Sequence, residues 1–153
     1  MYYSGQEIIE IAVRIEKNGY EFYITAAKSI KATNDIKHLF LDLAEMEVHH
    51  TDVFQKLAAQ FEAENFEFDK EETEGYINFL ADSHIFGKKD AGAKIAKEIS
   101  SPKEALELAL KFENDSVAFY EELYKKAKND AGKMILEIIN EEKSHVAMIS
   151  RFL

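Results

Sequence analysis

Apolar residues recur every three to four positions along most of the chain, and strand-like alternation is scarce. That spacing predicts helices. In the first long helix the stripe is Ile8, Ala12, Ile15, Gly19, Tyr23, Ala26 and Ile30. Ser4 followed by Glu7 has the form of a capping box, so this helix is expected to run from near Ser4 to Ser29 or Ile30. The turn Lys31-Ala32-Thr33-Asn34-Asp35 offers Thr33, Asn34 or Asp35 as the next cap. A second helix is expected from about Ile36 to Phe61, with Ile36, Leu39, Leu43, Met46, Val53, Leu57 and Phe61 facing inward. Ser101-Pro102-Lys103-Glu104 combines a cap hydroxyl, a proline in the first turn and a glutamate at the third position, which starts a third long helix. It is expected to reach about Lys128 with Leu106, Ala109, Leu110, Val117, Tyr120 and Tyr124 inward; Lys125, Lys126 and Lys128 suit the negative end of its dipole. Asn129 or Asp130 is expected to cap a fourth helix, whose stripe is Ile135, Ile138, Ile139, Val146, Ile149 and Phe152.

Residues 62–100 are less regular. They open on the acidic, aromatic run Glu62 to Glu72, read as a solvated face, with guidance of cations toward a metal site as the alternative. Short helices are expected at Thr73–Ile85 and Asp90–Ile99, broken at Phe86-Gly87-Lys88-Lys89. The fold class is therefore all-α: one domain over residues 1–153, with two helical hairpins making a four-helix bundle and residues 62–100 crossing between them. One proline and six glycines suit long helices. Gly19, costly within a helix, implies a close neighbour.

Composition narrows the chemistry. A balance of 19 basic against 29 acidic residues argues against a nucleic-acid partner. Zero cysteines exclude disulfides, thiolate zinc sites and thiol nucleophiles. No apolar run approaches a membrane span, and Met1-Tyr2-Tyr3-Ser4-Gly5-Gln6-Glu7 lacks the form of a signal peptide, so no membrane association and a cytoplasmic location are expected.

Against this background a few charges are misplaced. Glu47 and His50, and again Glu142 and His145, stand three apart on apolar stripes, so each pair shares a buried helix face. Glu16 and Glu113 sit singly on the other two long stripes. In an antiparallel hairpin, residues equidistant from the turn share a height. The midpoint of Glu16 and Glu47 is 31.5 and that of Glu113 and Glu142 is 127.5, both at the turns. Each pair therefore lies about 23 Å from its turn at 1.5 Å per residue. Glu-to-Glu separations of 31 and 29, and a tyrosine seven positions after each lone glutamate (Tyr23, Tyr120), mark a duplicated hairpin. Four clustered carboxylates without cations would repel and take up protons. Glu16, Glu47, His50, Glu113, Glu142 and His145 are thus the candidate ligands of two metal ions. Carboxylates with one imidazole per ion suit iron or manganese. Tyr23 and Tyr120 are candidates for hydrogen bonds to these ligands as well as for core packing. Asn114, Asp115 and Glu141 are candidate partners for the outer imidazole nitrogens. His49 is expected to be exposed, and His38 and His84 carry no signal.

The motifs Ala12-Val-Arg-Ile-Glu16-Lys-Asn-Gly-Tyr-Glu-Phe-Tyr23, Leu43-Ala-Glu-Met-Glu47-Val-His-His50, Phe112-Glu113-Asn-Asp-Ser-Val-Ala-Phe-Tyr120 and Glu142-Lys-Ser-His145 resemble the rubrerythrin branch of the ferritin-like superfamily. The resemblance covers the four long helices. It implies two iron ions, with manganese or a mixed pair as alternatives, bridged by Glu47 and Glu142 or by their lone-Glu counterparts. It also implies a di-iron oxidoreductase acting on a small oxidant, peroxide or oxygen. A ferroxidase that handles iron and a metal-free binding module are the other readings. Typical members add a four-cysteine rubredoxin-like domain, whereas this sequence has no cysteine, so an external electron donor is expected. They also carry a further carboxylate where Ser116 stands here. The family and the aromatics Phe66, Phe68, Tyr76, Phe79 and Phe86, taken as exposed, suggest a homodimer.

Overall fold

A computed structural model of the chain describes residues 3–61, 66 and 71–153, without the side chains of 71–74. Six helices follow one another: α1 (Gly5–Ser29), α2 (Asn34–Ala59), α3 (Glu71–Ser83), α4 (Ala91–Glu98), α5 (Pro102–Lys126) and α6 (Asn129–Ser150). No strand interrupts them among the described residues, and the fold is an all-α bundle of two long hairpins with a helical crossover.

Local chemistry places most of the helix ends. The Ser4 hydroxyl accepts from the Glu7 amide while the Glu7 carboxylate accepts from the Ser4 amide, closing the capping box. Thr33 caps α2 through its side chain. Ser101 caps α5, with Pro102 in the first turn. Glu104, however, reaches past the cap to the Ser100 amide and hydroxyl. At α6 the expectation fails: Asn129 already lies inside the helix with a left-handed φ of 58°, and Lys128 precedes it without a side-chain cap bond.

The α1–α2 and α5–α6 hairpins pack with α2 beside α6. The crossover is fastened to α1 and α5. Asn18 on α1 donates through Nδ2 to the carbonyls of Phe86 and Lys88, both at 2.7 Å, and accepts through Oδ1 from the Gly92 amide. At Gly92 a Cβ would lie 1.9 Å from the Asn18 carbonyl oxygen, so only glycine permits α4 to approach α1 this closely. Gly19 has the neighbour its sequence position implied: a Cβ there would meet Phe112 Cζ at 2.5 Å.

The buried faces depart from the simple stripes. Met46 is 39 % exposed, Tyr124 and Phe152 are also exposed, and Val53, Leu57, Phe61, Leu110, Val117 and Val146 are half-buried. On α5 the fully buried residues include Phe112, Phe119 and Leu123 instead. Phe66 and Phe86, expected on the surface, are buried, because Phe86 packs on Phe112 and Phe22 while Phe66 stacks on Phe61. Tyr76 and Phe79 are exposed on α3, whereas Phe68 and most of the acidic run lie outside the described residues.

Candidate metal centre

The two hairpins bring all six predicted side chains together, fully or almost fully buried. Glu16 comes from α1, Glu47 and His50 from α2, Glu113 from α5, and Glu142 and His145 from α6. They form two overlapping groups. Glu16, Glu47, His50 and Glu142 bring one ligand atom each to within 4.8 Å of one another, as do Glu47, Glu113, Glu142 and His145. Glu47 and Glu142 belong to both groups, which puts the two Glu-x-x-His carboxylates at the centre and the lone glutamates outside them.

Each imidazole turns Nδ1 inward. His50 Nδ1 lies 3.2 Å from Glu142 Oε1 and 3.5 Å from Glu16 Oε2; His145 Nδ1 lies 3.0 Å from Glu142 Oε2 and 3.5 Å from Glu113 Oε1. The rings stack at 5.6 Å between centroids. The two Nε2 atoms face outward to unlike partners. His50 Nε2 is 2.6 Å from Glu141 Oε2, whereas His145 Nε2 is 2.9 Å from Met46 Sδ. Of the candidate outer partners, Glu141 is the one used; Asn114 is exposed, and Asp115 instead accepts from the Ile85 amide and Lys111. Met46 was missed because its place on the apolar stripe marked it as core.

The tyrosines cross the molecule. Tyr23 of the first hairpin donates to Glu113 Oε1 of the second at 2.6 Å, and Tyr120 of the second donates to Glu16 Oε1 of the first. Burial first, then the nearby carboxylates, raises both phenols well above their ordinary range, so they stay protonated donors. The same hydroxyls leave one oxygen of each lone glutamate uncommitted. Glu16 Oε2, Glu113 Oε2, both oxygens of Glu47, Glu142 Oε1 and His50 Nδ1 are buried without a hydrogen-bond partner among the described residues. Orphaned buried polar atoms are rare, and here all six belong to the two groups.

The charges show how the side chains share protons when no cation balances them. Burial, then Glu16 and Glu142, drives Glu47 well up; burial, then Glu142, does the same to Glu113. Burial opposes ionisation of Glu142, but the neighbouring Glu113, His145 and His50 favour its charged form and hold it well down. Burial also opposes the charged imidazoles, yet Glu142 with Glu16 pushes His50 up to about 12, and Glu113 with Glu142 pushes His145 up to about 10. Glu47, Glu113 and the two imidazoles thus hold protons that a divalent ion would displace, while Glu142 stays ionised between them. Carboxylate oxygens with one imidazole per group form the hard-to-borderline donor set suited to iron or manganese, so the residues fit such ions.

A third buried histidine stands nearby. His84, in the turn after α3, accepts through Nδ1 from the Phe86 amide, so Nε2 carries its hydrogen and donates to Ser116 Oγ at 2.9 Å. Burial pushes this ring down to about 3 and keeps it neutral. The sequence places His84 within the expected helix 73–85 without a role, whereas α3 ends at Ser83 and the ring is placed by the turn that follows.

A model of the rubrerythrin family matches residues 7–99, more than half of the chain. The chain belongs to the rubrerythrin family. In this rubrerythrin-family chain the match spans the first hairpin and the crossover, while the second hairpin supplies the remaining candidate ligands. The crystal structure of a Thermotoga maritima protein, provisionally described as a ferritin-like diiron-carboxylate protein, superposes with a TM-score of 0.72. That structure is 24% identical and the alignment covers 98% of this chain and 94% of the other, which establishes the ferritin-like fold. No curated protein matches the chain. No helix among the described residues is long and apolar enough to cross a membrane.

Proposed function

We propose that this chain holds two iron ions through Glu16, Glu47, His50, Glu113, Glu142 and His145, and reduces hydrogen peroxide or oxygen with electrons from an external donor. The observation that carries the reading is the sharing of Glu47 and Glu142 between two groups of buried ligand atoms. Two bound iron ions would pass the donor's electrons to the oxidant as a pair. The protein supplies position and seclusion. Tyr23 and Tyr120 fix one oxygen of Glu113 and Glu16 and hold their own protons, leaving the second oxygens free to bind. Phe112 packs on Tyr23, and Phe54 and Phe119 pack on Tyr120, so the two hydroxyls that serve the cluster stand in buried aromatic surroundings. A cleft of about 550 Å³ between α2 and α6, lined by Asp42, Glu45, Met46, His49, Glu141 and His145, gives a small oxidant a path to the edge of the site.

The test is anaerobic loading with ferrous iron followed by separate exposure to peroxide and to oxygen. Two iron ions per chain and faster ferrous oxidation by peroxide are the expected results. Equal rates, or no oxidation, would overturn the peroxide assignment. Binding of two ions with ferric iron accumulating in a large assembly would instead support iron handling.

A further inference from the structure

The two imidazoles differ on their outer sides. Behind His50 stands a carboxylate, Glu141, with its Oε2 2.6 Å from Nε2; behind His145 stands an uncharged thioether, Met46 Sδ, 2.9 Å from Nε2. Because both Nδ1 atoms face the carboxylates, an ion would bind there and leave Nε2–H to donate outward. A carboxylate accepting that hydrogen draws the imidazole toward imidazolate and makes Nδ1 a stronger donor to metal. A thioether is a weak acceptor and has little such effect. The cleft adds to the difference: His145, Met46 and Glu141 line it, whereas His50 does not.

We propose that the two metal positions are unequal, with the position of Glu16 and His50 holding its ion tightly because of Glu141, and the position of Glu113 and His145 holding its ion weakly and exchanging it through the α2–α6 cleft. Glu141 and Met46 are then positioning residues that act through the imidazoles. The inference rests on the two-metal reading and adds to it an order of filling and a means of setting it. Because both side chains are partly exposed, they can be changed without opening the core.

The experiment follows binding of cobalt(II), under anaerobic conditions, to the full chain by calorimetry and by visible absorption. Two steps are expected in the unaltered protein. Glu141→Gln is expected to weaken the tight step roughly 10- to 100-fold and to change the weak step by less than about 3-fold. Met46→Gln places an amide oxygen within reach of His145 and is expected to tighten the weak step about 10-fold without moving the tight one. A merely structural role would move both steps together, and circular dichroism confirms that each variant retains its helices. One common affinity for both ions, or equal shifts of the two steps in either variant, would overturn the proposal. Binding of fewer than two ions to the unaltered protein would overturn the two-metal reading as well, so the two failures are distinguishable.

Discussion

At the scale of single residues, His84 has the most direct consequence for stability. Its folded-state pKa of about 3 lies below the ordinary 6.5, so the unfolded chain binds a proton that the folded chain refuses. The resulting destabilisation is absent above pH 6.5 and grows as pH falls toward 3, reaching roughly 5 kcal/mol below both values. Urea unfolding of the metal-free protein at a series of pH values is expected to show this slope, and His84→Gln to flatten it. Gly19→Ala is expected to cost about 1–3 kcal/mol despite better helix propensity, because the new methyl would drive into the buried Phe112 ring and crowd Glu47. Denaturation midpoints check the cost, and lowered cobalt affinity would report the displaced carboxylate. The six ligands were legible because a charge on an apolar stripe is visible in one helix alone. The sequence offered Glu141 beside Asn114 and Asp115 without choosing among them, and it did not single out Met46 or His84, since each is placed by the helix or turn that faces it.

Among elements, one amide makes three of the hydrogen bonds that fasten the crossover to α1. Asn18→Leu leaves the Phe86 carbonyl and the Gly92 amide without this partner and the Lys88 carbonyl with the Ala91 amide alone, at about 1–3 kcal/mol for each group left buried and unpaired. Faster hydrogen exchange confined to residues 84–92, with α2 and α6 unchanged, is the expected result. Exchange that rises equally everywhere would mean that the crossover is not held locally. The capped helix starts were readable because Ser4, Thr33 and Ser101 act on amides within their own first turn. The inward face of α5 was read one-sidedly. This helix packs against α6, α3 and α1, and Phe112 is buried against Tyr23 of α1 and against His84 and Phe86 of the crossover, contacts that no periodicity within α5 announces.

For the molecule as a whole, the centre joins two hairpins that each supply three of its groups. Metal loading is therefore expected to stabilise the entire bundle by ~4 kcal/mol at a thousand times the dissociation constant, a rise in Tm on the order of 10 °C. Chelation should reverse it. Protons on His50 and His145, whose pKa values stand at about 12 and about 10, compete with the ions. Metal affinity is accordingly expected to increase with pH across the neutral range, and calorimetry in buffers of different ionisation enthalpy should detect proton release. The common depth of the ligands could be read from midpoints alone, because a helix rises by a fixed step per residue. Their exchange of hydroxyls across the bundle could not. Tyr23 serves Glu113 and Tyr120 serves Glu16, so this chain carries its own matched control. Tyr23→Phe and Tyr120→Phe make the same chemical cut, one in each hairpin. Unequal losses of cobalt affinity, the expected result, would measure within a single molecule how differently two like-built hairpins treat the same hydroxyl–carboxylate bond.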